Sequence, residues 1–354
     1  MKLPTEYNAL VGALLDKAAT VGQPASGVFE ITSRCNLACG MCYIRHSASD
    51  LAAMRTELSA MQWNRLAREA AVNGMLFLLL TGGEVFLRPD FLDIYEQVRT
   101  LGLNLTLFTN ATLVTKEIAD RLSVSPPNLL EVTLYGATEA TYEAITGVPG
   151  SYARCLSGIE NLRLAGVPLL LKTTLTRLNI GELEAMRRLA REWNVPFQAA
   201  WLLTPRRDGK DSAVREYRLS PRQCVELEGA QASREPAPPN RTTSPSTRSV
   251  FFCGAGKNSF VITASGEMNA CIDLPRPAAR PLECGFARAW DQVGRFVDSV
   301  PASAVCSSCE LDPVCPRCPA LSLIETGDLM APVPYLCEIA TARYGPRITP
   351  SQCT

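Results

Sequence analysis

The stretch ITSRCNLACGMCYIR, residues 31–45, places three cysteines, Cys35, Cys39 and Cys42, in the spacing C-x3-C-x2-C. A structural zinc site takes four ligands, and a disulfide framework needs an even number of cysteines. Three thiols on one short loop can instead hold three corners of a four-iron cluster and leave the fourth iron open. The spacing therefore favours an iron–sulfur site at which one position is kept for a small molecule.

The overall charge and hydropathy of the chain limit the classes of partner that we expect it to bind. The 354 residues carry 35 basic and 35 acidic side chains, so no net field attracts nucleic acid or an anionic membrane surface. The longest apolar run, MLFLLL at 75–80, has the length of a buried strand and is too short to span a bilayer. The N-terminus favours a short amphipathic helix and lacks the features of a signal peptide. We therefore expect a cytoplasmic protein with neither a nucleic-acid nor a membrane partner.

The fourteen cysteines of the chain are unevenly distributed. In a reducing cytosol, metal binding or redox chemistry is a more common use for cysteines than disulfide formation. Three of them lie at 35–42 and eight lie at 253–337, whereas only Cys155, Cys224 and Cys353 fall elsewhere. This distribution predicts two metal-binding regions that flank a cysteine-poor middle.

The middle of the chain alternates short apolar or β-rich runs with segments of helical periodicity. About six such βα units occupy residues 27–205, which predicts an α/β fold: a partial (β/α)6 parallel barrel with a small, irregular, cysteine-rich C-terminal domain. A closed eightfold barrel typically needs about 250 residues, more than this segment offers. The predicted strands are GVFEITS, LFLLLTGGE, LNLTLFTNA, LLEVTLYGA, PLLLKTTLT and PFQAAWLLTP.

This pattern divides the chain into four segments: a helical extension at 1–26, the barrel at 27–205, a linker or substrate-covering loop at 206–250, and the cysteine-rich region at 251–354. The third segment is rich in Pro, Ser, Thr and Arg, which is typical of a solvated linker but also fits a loop that orders over a substrate. Regular units stop beyond residue 250, so the last segment is expected to need bound metal to hold its structure.

A second motif, TGGE at 81–84, follows the second predicted strand as the cysteines follow the first. The carboxyl ends of barrel strands meet on one side of the fold, where the chemistry of such barrels lies. Gly82 and Gly83 permit close backbone approach, and the exposed backbone and Glu84 can receive an α-amino group. The two motifs are therefore expected to form one site.

The cysteine motif followed one βα unit later by GGE resembles the radical S-adenosylmethionine (radical SAM) enzymes over about residues 27–205. This resemblance implies that Cys35, Cys39 and Cys42 hold a 4Fe–4S cluster whose open iron binds the amine and carboxylate of S-adenosylmethionine. One electron then cleaves the sulfonium, and the resulting 5′-deoxyadenosyl radical abstracts a hydrogen atom from a substrate. The resemblance also implies that Met41 lies beside the adenine.

Other positions in the predicted barrel have weaker assignments. Thr133 in EVTLYG and Lys172 in LLLKTT face the barrel mouth if the strand phase holds, as contacts for the ribose and carboxylate of the cofactor or as ordinary strand residues. Val85 stands where the family usually has Pro, a change that shapes the turn and for which little functional cost is expected. His46 is the only histidine, and a surface position is expected for it.

The C-terminal cysteines resemble the SPASM extension of radical SAM enzymes, which holds two auxiliary iron–sulfur clusters, over roughly residues 250–340. Two residues separate Cys315 from Cys318, whereas the family more often has three residues at this place. A zinc site is the alternative. However, only five residues separate Cys309 from Cys315, whereas the corresponding gap of a zinc ribbon usually spans about 15 to 20 residues. The cofactors implied are three 4Fe–4S clusters and S-adenosylmethionine. The matching residues are Cys253, Cys271, Cys306, Cys309, Cys315, Cys318 and Cys337.

The crossed ligation of that family implies two ligand sets. The distal cluster would bind Cys306, Cys309, Cys315 and Cys337. The proximal cluster would bind Cys253, Cys271 and Cys318, which is one ligand short. Ser259 stands near the position where many relatives have another cysteine, so either Cys284 fills the gap or one iron of the proximal cluster stays open.

SPASM enzymes commonly modify peptides or proteins, so the resemblance implies a peptide substrate. Maturation of a ribosomally made peptide, by crosslinking, oxidation or epimerisation, is the first hypothesis. A small-molecule oxidase or decarboxylase and a sulfatase-type maturase are alternatives, since family resemblance does not settle a substrate. A non-catalytic electron carrier is disfavoured, because it has no use for GGE or for an open iron on the first loop.

About 26 residues precede the first strand, too few for the leader-binding domain that many peptide maturases carry. We therefore expect a separate leader-binding protein, or a leader that docks on the basic stretch after the barrel, together with a reductant such as flavodoxin or ferredoxin. The basic candidates are Arg206, Arg207, Lys210, Arg215, Arg218 and Arg222.

Overall fold

The computed structural model describes residues 5–209, 213–232, 251 and 253–344. Its strands are β1 Ser26–Thr32, β2 Arg34–Cys35, β3 His46–Ser47, β4 Phe77–Gly82, β5 Asn104–Thr109, β6 Leu129–Thr133, β7 Leu169–Thr174, β8 Phe197–Ala200, β9 Ser259–Ile262 and β10 Met268–Asn269. Its helices are α1 Thr5–Val21, α2 Leu51–Thr56, α3 Ala60–Val72, α4 Phe91–Arg99, α5 Lys116–Val124, α6 Glu139–Thr146, α7 Ser151–Leu164, α8 Leu183–Glu192, α9 Val214–Tyr217, α10 Pro221–Ala232, α11 Pro281–Cys284, α12 Phe286–Ser299, α13 Ala304–Ser307, α14 Pro319–Thr326 and α15 Pro334–Tyr344.

The centre of the fold is a parallel sheet. Strands β1, β4, β5, β6, β7 and β8 lie side by side in that order, and helices separate each strand from the next along the chain. Their carboxyl ends therefore open on the same side, which brings the loops after β1, β4, β5 and β6 together. The prediction of an α/β fold with six parallel βα units is confirmed.

Helix α3 illustrates why these segments pack on the sheet. Ser59 and Gln62 form a capping box, in which each side chain accepts a hydrogen bond from the other residue's backbone N–H. Trp63 and Leu66 lie on the same face of α3, and this face is buried in the main hydrophobic core. Gly74, with a φ of +102°, adopts a conformation that favours glycine and turns the chain toward β4.

The C-terminal region contributes two strands that were not predicted. Strand β9 pairs in parallel with β1, with Ser259 opposite Ser26, and β10 pairs antiparallel with β9. Phe260 of β9 and Phe286 of α12 are both buried in the core cluster that contains the barrel residues. Apolar packing therefore joins the first half of this region to the barrel, while its dependence on bound metal stays a prediction.

The segment after the barrel also differs from a solvated linker where it is described. Helices α9 and α10 lie within it, and Cys224 and Leu227 of α10 are buried in the main core. Residues 210–212 and 233–250 of this segment lie outside the described residues. In the described part of the chain, we find no helix with the length and apolar character needed to cross a membrane.

Three of the arginines proposed for leader docking are internal, which corrects that prediction. Arg206, Arg207 and Arg218 are largely buried, and each donates to a carboxylate at 2.6–2.8 Å. A paired, buried guanidinium is not available to an acidic leader peptide. Their partners are Asp208, Glu30 and Glu325, respectively. Arg215 and Arg222 are exposed, and Lys210 lies outside the described residues.

Candidate functional site

The cysteine loop leaves the carboxyl end of β1 and folds into a small apolar cluster. Cys39 and Met41 are buried in this cluster together with Leu37, and Cys35 and Cys42 pack against it. The structure thus brings together the three predicted cluster ligands and the predicted adenine contact, on the side of the sheet where the strands end.

The raised pKa values of the three thiols are consistent with thiols that bind a cationic iron centre. Burial raises the pKa of Cys35 to about 12 and also raises the pKa of Cys39 and Cys42. Negative charge on Cys42 raises the pKa of the other two further, so the three groups lie within electrostatic reach of one another. Such thiols hold their protons until a metal centre stabilises the thiolates. Among the described residues, no three Cys, His, Asp or Glu side chains are grouped to hold a single metal ion, whereas in a four-iron cluster each cysteine binds a different iron.

Two tyrosines that were not predicted from the sequence support this loop. Tyr135, just after β6, packs against the apolar cluster; burial raises the pKa of its hydroxyl, and charge on Cys39 raises that pKa further. Tyr217 of α9 places its phenol ring against Gly40, where any larger side chain would collide with it. Glycine at position 40 is therefore a packing requirement, and the middle of the cysteine loop is covered by a residue from far along the chain.

The two glycines of TGGE are required by a close approach to the cysteine loop. The Gly83 N–H donates to the Thr32 carbonyl at 2.8 Å, and the Glu84 N–H donates to the Arg34 carbonyl at 2.9 Å. A Cβ atom at Gly82 or Gly83 would collide with these same backbone segments. The motif after β4 therefore fixes the chain immediately before Cys35.

Glu84 differs from the expectation that it is exposed and free to receive an amine. Its side chain is 1% exposed, and burial raises its pKa to about 7. Its carboxylate accepts hydrogen bonds from the Asn110 N–H at 2.7 Å, the Thr109 hydroxyl at 2.8 Å and the Phe86 N–H at 3.2 Å. Glu84 thus joins the end of β4 to the end of β5, a contact that only the tertiary fold reveals.

Asn110 is a further polar residue of the site that was not predicted. Its Nδ2 lies 3.7 Å from the Cys35 Sγ and donates to the Asn36 Oδ1 at 3.0 Å. Asn36 in turn donates to the Thr112 hydroxyl at 2.7 Å. The signal was present in the sequence, since Asn110 directly follows β5 as the cysteines and GGE follow β1 and β4.

Thr133 of β6 lies opposite Lys172 of β7 in the sheet. The Lys172 side chain faces away from the helices. Its neighbour Leu171 is buried in the helix-side core, so Lys172 points to the inner face of the sheet. Its Nζ lies 3.2 Å from the Glu131 Oε2 and 2.6 Å from the centre of the Phe108 ring. Burial lowers the pKa of Lys172 to about 8, although Glu131 opposes this shift.

A buried ion pair connects the cysteine loop to the C-terminal region. Both carboxylate oxygens of Glu30, a residue of β1 that is 1% exposed, accept from the Arg207 guanidinium at 3.2 and 2.8 Å. Arg207 also donates to the Ile272 carbonyl at 2.9 Å, and its N–H donates to the Tyr43 carbonyl at 3.0 Å. Tyr43 and Ile272 are the chain neighbours of Cys42 and Cys271, so Arg207 links the two cysteine regions through hydrogen bonds.

The C-terminal cysteines separate into two groups. Burial raises the pKa of Cys271 to about 12, and charge on Cys318 or Cys253 raises it further. Burial likewise raises the pKa of Cys315, with added contributions from Cys306 and Cys309. A cavity beside the second group is lined by Cys306, Cys315, Cys318 and Cys337. The contributions to these pKa values parallel the two ligand sets that the SPASM resemblance implies, whereas the cavity brings Cys318 of the first group beside three cysteines of the second.

Cys284 has local contacts that differ from those of the two groups. It ends α11, which packs against α3 and α12, and its Sγ lies 3.3 Å from the Arg280 carbonyl. Its surroundings are therefore those of a helix terminus beside the outer helices.

Comparison with known proteins agrees with this geometry. Residues 29–190 match the Radical SAM superfamily, a span that contains the cysteine loop, GGE, the second half of β1 and the next four parallel strands. The chain therefore contains a radical SAM domain. A radical SAM domain implies a 4Fe–4S cluster and S-adenosylmethionine as cofactors, and the three grouped thiols of the cysteine loop are suited to such a cluster.

Two kinds of curated relative resemble this chain. The AdoMet-dependent heme synthase of Methanosarcina barkeri is 28% identical over 90% of this chain and 97% of its own length. The PqqA peptide cyclase of Ruegeria pomeroyi is 32% identical, but over only 49% of this chain and 46% of its own. The first relative therefore aligns along nearly its whole length, and the second along about half.

Solved structures share the fold of nearly the whole enzyme. Streptococcus suis SuiB bound to S-adenosylmethionine has a TM-score of 0.70 at 18% identity, covering 92% of this chain and 80% of SuiB. The structure of anSMEcpe with bound AdoMet and the Cp18Cys peptide has a TM-score of 0.65 at 15% identity, covering 91% of this chain and 96% of that one. At these identities the likeness concerns the fold.

Proposed function

We propose that the enzyme holds its 4Fe–4S cluster on Cys35, Cys39 and Cys42 and binds S-adenosylmethionine beside it. Met41 packs against the adenine, and the backbone of Gly82–Gly83 receives the amino group, because the Glu84 carboxylate is already filled by donors of the fold. Thr133 and Lys172 serve the ribose or carboxylate side of the cofactor.

The bound, reduced cluster supplies the electron that splits S-adenosylmethionine into methionine and a radical able to abstract a hydrogen atom. The side chains of the enzyme hold this site in place and keep water away. The apolar cluster around Cys39 covers the thiols, Tyr135 packs against this cluster, and Asn110 orders the start of the loop. Glu84 acts as a positioning residue between β4 and β5.

We propose two auxiliary clusters in the C-terminal region. The distal one binds Cys306, Cys309, Cys315 and Cys337, and the proximal one binds Cys253, Cys271 and Cys318. The separate electrostatic groupings of these thiols support the division. Because Cys284 lies beside the outer helices, we propose that the fourth position of the proximal cluster is open.

We favour a peptide as the substrate. The reason is the pairing of charges on the inner face of the sheet, the face that points away from the helices. The cations Arg207 and Lys172 on this face are matched by Glu30 and Glu131, so neither is left to bind a polyanionic small molecule. An uncharged peptide segment suits such a surface better than a porphyrin with several carboxylates does. The fold agrees with this choice, since the SuiB structure bound to its precursor peptide SuiA covers 93% of this chain with a TM-score of 0.68.

A small-molecule reaction on a porphyrin carboxylate is the second candidate. The alignment with an AdoMet-dependent heme synthase over 90% of this chain favours it, because the peptide cyclases align over about half. This candidate requires that substrate carboxylates displace Glu131 or Glu30 from the paired cations, at a cost in desolvation.

The test compares both substrates on anaerobically reconstituted enzyme reduced with dithionite. One arm offers deuterated peptides made from any short reading frames found beside the enzyme's gene, and the other offers a deuterated tetracarboxylate porphyrin. Deuterium in 5′-deoxyadenosine from a peptide alone supports the proposal, and deuterium from the porphyrin alone replaces it with the second candidate. The variant Cys35→Ala/Cys39→Ala/Cys42→Ala should cleave no S-adenosylmethionine; cleavage by it would overturn the assignment of the cluster.

A further inference from the structure

The side-chain amide of Asn110 is held in one orientation beside the cysteine loop. Its Oδ1 accepts hydrogen bonds from the Thr112 backbone N–H at 2.9 Å and from the Thr112 hydroxyl at 2.6 Å. Because a backbone N–H can only donate, the oxygen of the Asn110 amide must face Thr112 and its Nδ2 must face the other way. Asn110 is 8% exposed, so water can hardly compete for these contacts.

The Nδ2 group of Asn110 has two acceptors, and one of them is a proposed cluster ligand. It donates to the Asn36 Oδ1 at 3.0 Å and to the Cys35 Sγ at 3.7 Å. The Leu37 N–H donates to the same sulfur at 3.4 Å. The Cys35 sulfur therefore has two N–H donors, one from its own loop and one from the residue that follows β5.

The main chain of Asn110 is fixed by a second set of contacts. Its backbone N–H donates to the Glu84 Oε2 at 2.7 Å, and the Glu84 N–H donates to the Arg34 carbonyl at 2.9 Å. Glu84 thus joins Asn110 to the residue directly before Cys35. The Asn110 amide is therefore positioned against the Cys35 sulfur by the fold itself.

An N–H donor at this sulfur has a predictable electrostatic effect. Hydrogen bonds to the sulfurs are one of the factors that set the reduction potential of an iron–sulfur cluster. A cysteine that binds iron is a thiolate, and its sulfur becomes more negative when the cluster gains an electron. A fixed N–H dipole that points at the sulfur therefore stabilises the reduced cluster more than the oxidised one.

We propose that Asn110 raises the reduction potential of the cluster on Cys35, Cys39 and Cys42 by donating a hydrogen bond to the Cys35 sulfur. Asn110 is a positioning residue, since it acts through Cys35 and not on the substrate. In the affected step the cluster gains one electron, the reductant loses one, and no bond forms or breaks. This inference rests on the proposed function and adds to it a residue that tunes the potential of the site.

The experiment is an anaerobic redox titration of the reconstituted enzyme, followed by electron paramagnetic resonance. The signal of the first cluster is the one that wild type shows and that the variant Cys35→Ala/Cys39→Ala/Cys42→Ala lacks. Its midpoint potential is measured without substrate, so the result does not depend on turnover.

Two test variants remove the donor in different ways. Asn110→Ala removes the whole amide, whereas Asn110→Asp keeps an oxygen for the Thr112 N–H but has no N–H group to offer to Cys35. The matched control is Thr112→Val, which removes the hydroxyl that contacts Asn36 and Asn110 but leaves the Thr112 N–H in place. A role that is only structural should respond to this control as well.

In both Asn110 variants, we expect the ratio of reduced to oxidised first cluster at a fixed potential to fall about tenfold, which lowers the midpoint potential by about 59 mV. In Thr112→Val this ratio should stay within about twofold of wild type. An unchanged midpoint in Asn110→Ala, or an equal shift in Thr112→Val, would overturn the proposal. If Asn110→Ala lacks the signal, the midpoint of Asn110→Asp decides in the same way, and loss of the signal from both would also overturn the proposal. A wild type without any signal that the triple cysteine variant lacks would instead contradict the proposed function itself.

Discussion

Arg207 is the residue on which both cysteine regions converge. Its guanidinium pairs with Glu30 and donates to the Ile272 carbonyl, and its N–H donates to the Tyr43 carbonyl. Loss of one partner of such a buried pair leaves the other charge without compensation, which costs more than the removal of both. The pair thus serves as a joint between the barrel and the C-terminal region.

The variant Arg207→Gln should lower the free energy of unfolding by about 3–5 kcal/mol, because Glu30 then stays buried without a cation. The double variant Glu30→Gln/Arg207→Gln should recover most of that loss. Anaerobic urea titrations of both variants and wild type measure these differences. A single variant as stable as wild type would show that the pair does not join the two regions.

Gly83 offers a second test at the scale of one residue. A Cβ atom there would collide with the Arg34 carbonyl just before Cys35, so Gly83→Ala should displace the cysteine loop. Displacement of about 1 Å near reacting groups can cost about 100-fold in rate, and we expect a loss of this order in S-adenosylmethionine cleavage. Gly181→Ala is the control, since no atom lies near its added methyl. Equal activities of the two variants would contradict this role of Gly83.

Strand β9 and helix α12 are elements of the C-terminal region that belong to the barrel core. The Phe260 ring lies 5.2 Å from that of Phe286 on α12, 6.1 Å from Trp290 and 6.5 Å from Phe29 on β1. Because these rings form one cluster, the barrel and the first half of the C-terminal region should unfold together.

The variant Phe260→Ala should therefore destabilise the whole protein by about 3–5 kcal/mol in a single transition. Val124→Ala, at a position that is 86% exposed, should change stability by less than about 0.5 kcal/mol. Urea unfolding followed by circular dichroism and by tryptophan fluorescence measures both. Separate transitions for the two probes in the Phe260 variant would show that the elements are independent.

The elements were more predictable from the sequence than the contacts between them. The six parallel strands carry local apolar patterns, and the cysteine loop and GGE mark two strand ends. Arg207 looked like a linker arginine, because its partner Glu30 lies 177 positions away and no local pattern connects them. The buried state of Glu84 was hidden for the same reason, since its donors Thr109 and Asn110 belong to the next strand. Strand β9 is only four residues long, and its pairing with β1 is set by tertiary packing.

At the scale of the whole molecule, the enzyme joins two cysteine regions that are far apart in the sequence. One lies at the carboxyl end of β1, and the other spans residues 253–337 and divides into two groups. The ion pairs of Glu30 with Arg207 and of Glu131 with Lys172 lie on the inner face of the sheet that carries the first region. Arg207 also connects the first region to the second. The central claim is that the first region holds one four-iron cluster and the second holds two.

Iron and labile sulfide per chain, measured after anaerobic reconstitution, test this claim most directly. Wild type should hold about twelve irons, and Cys35→Ala/Cys39→Ala/Cys42→Ala should hold about eight. Cys306→Ala/Cys309→Ala/Cys315→Ala should also hold about eight, whereas Cys284→Ala should keep about twelve. A wild type with about four irons and with zinc in its C-terminal region would contradict the claim, and would leave a radical SAM core joined to a structural zinc domain.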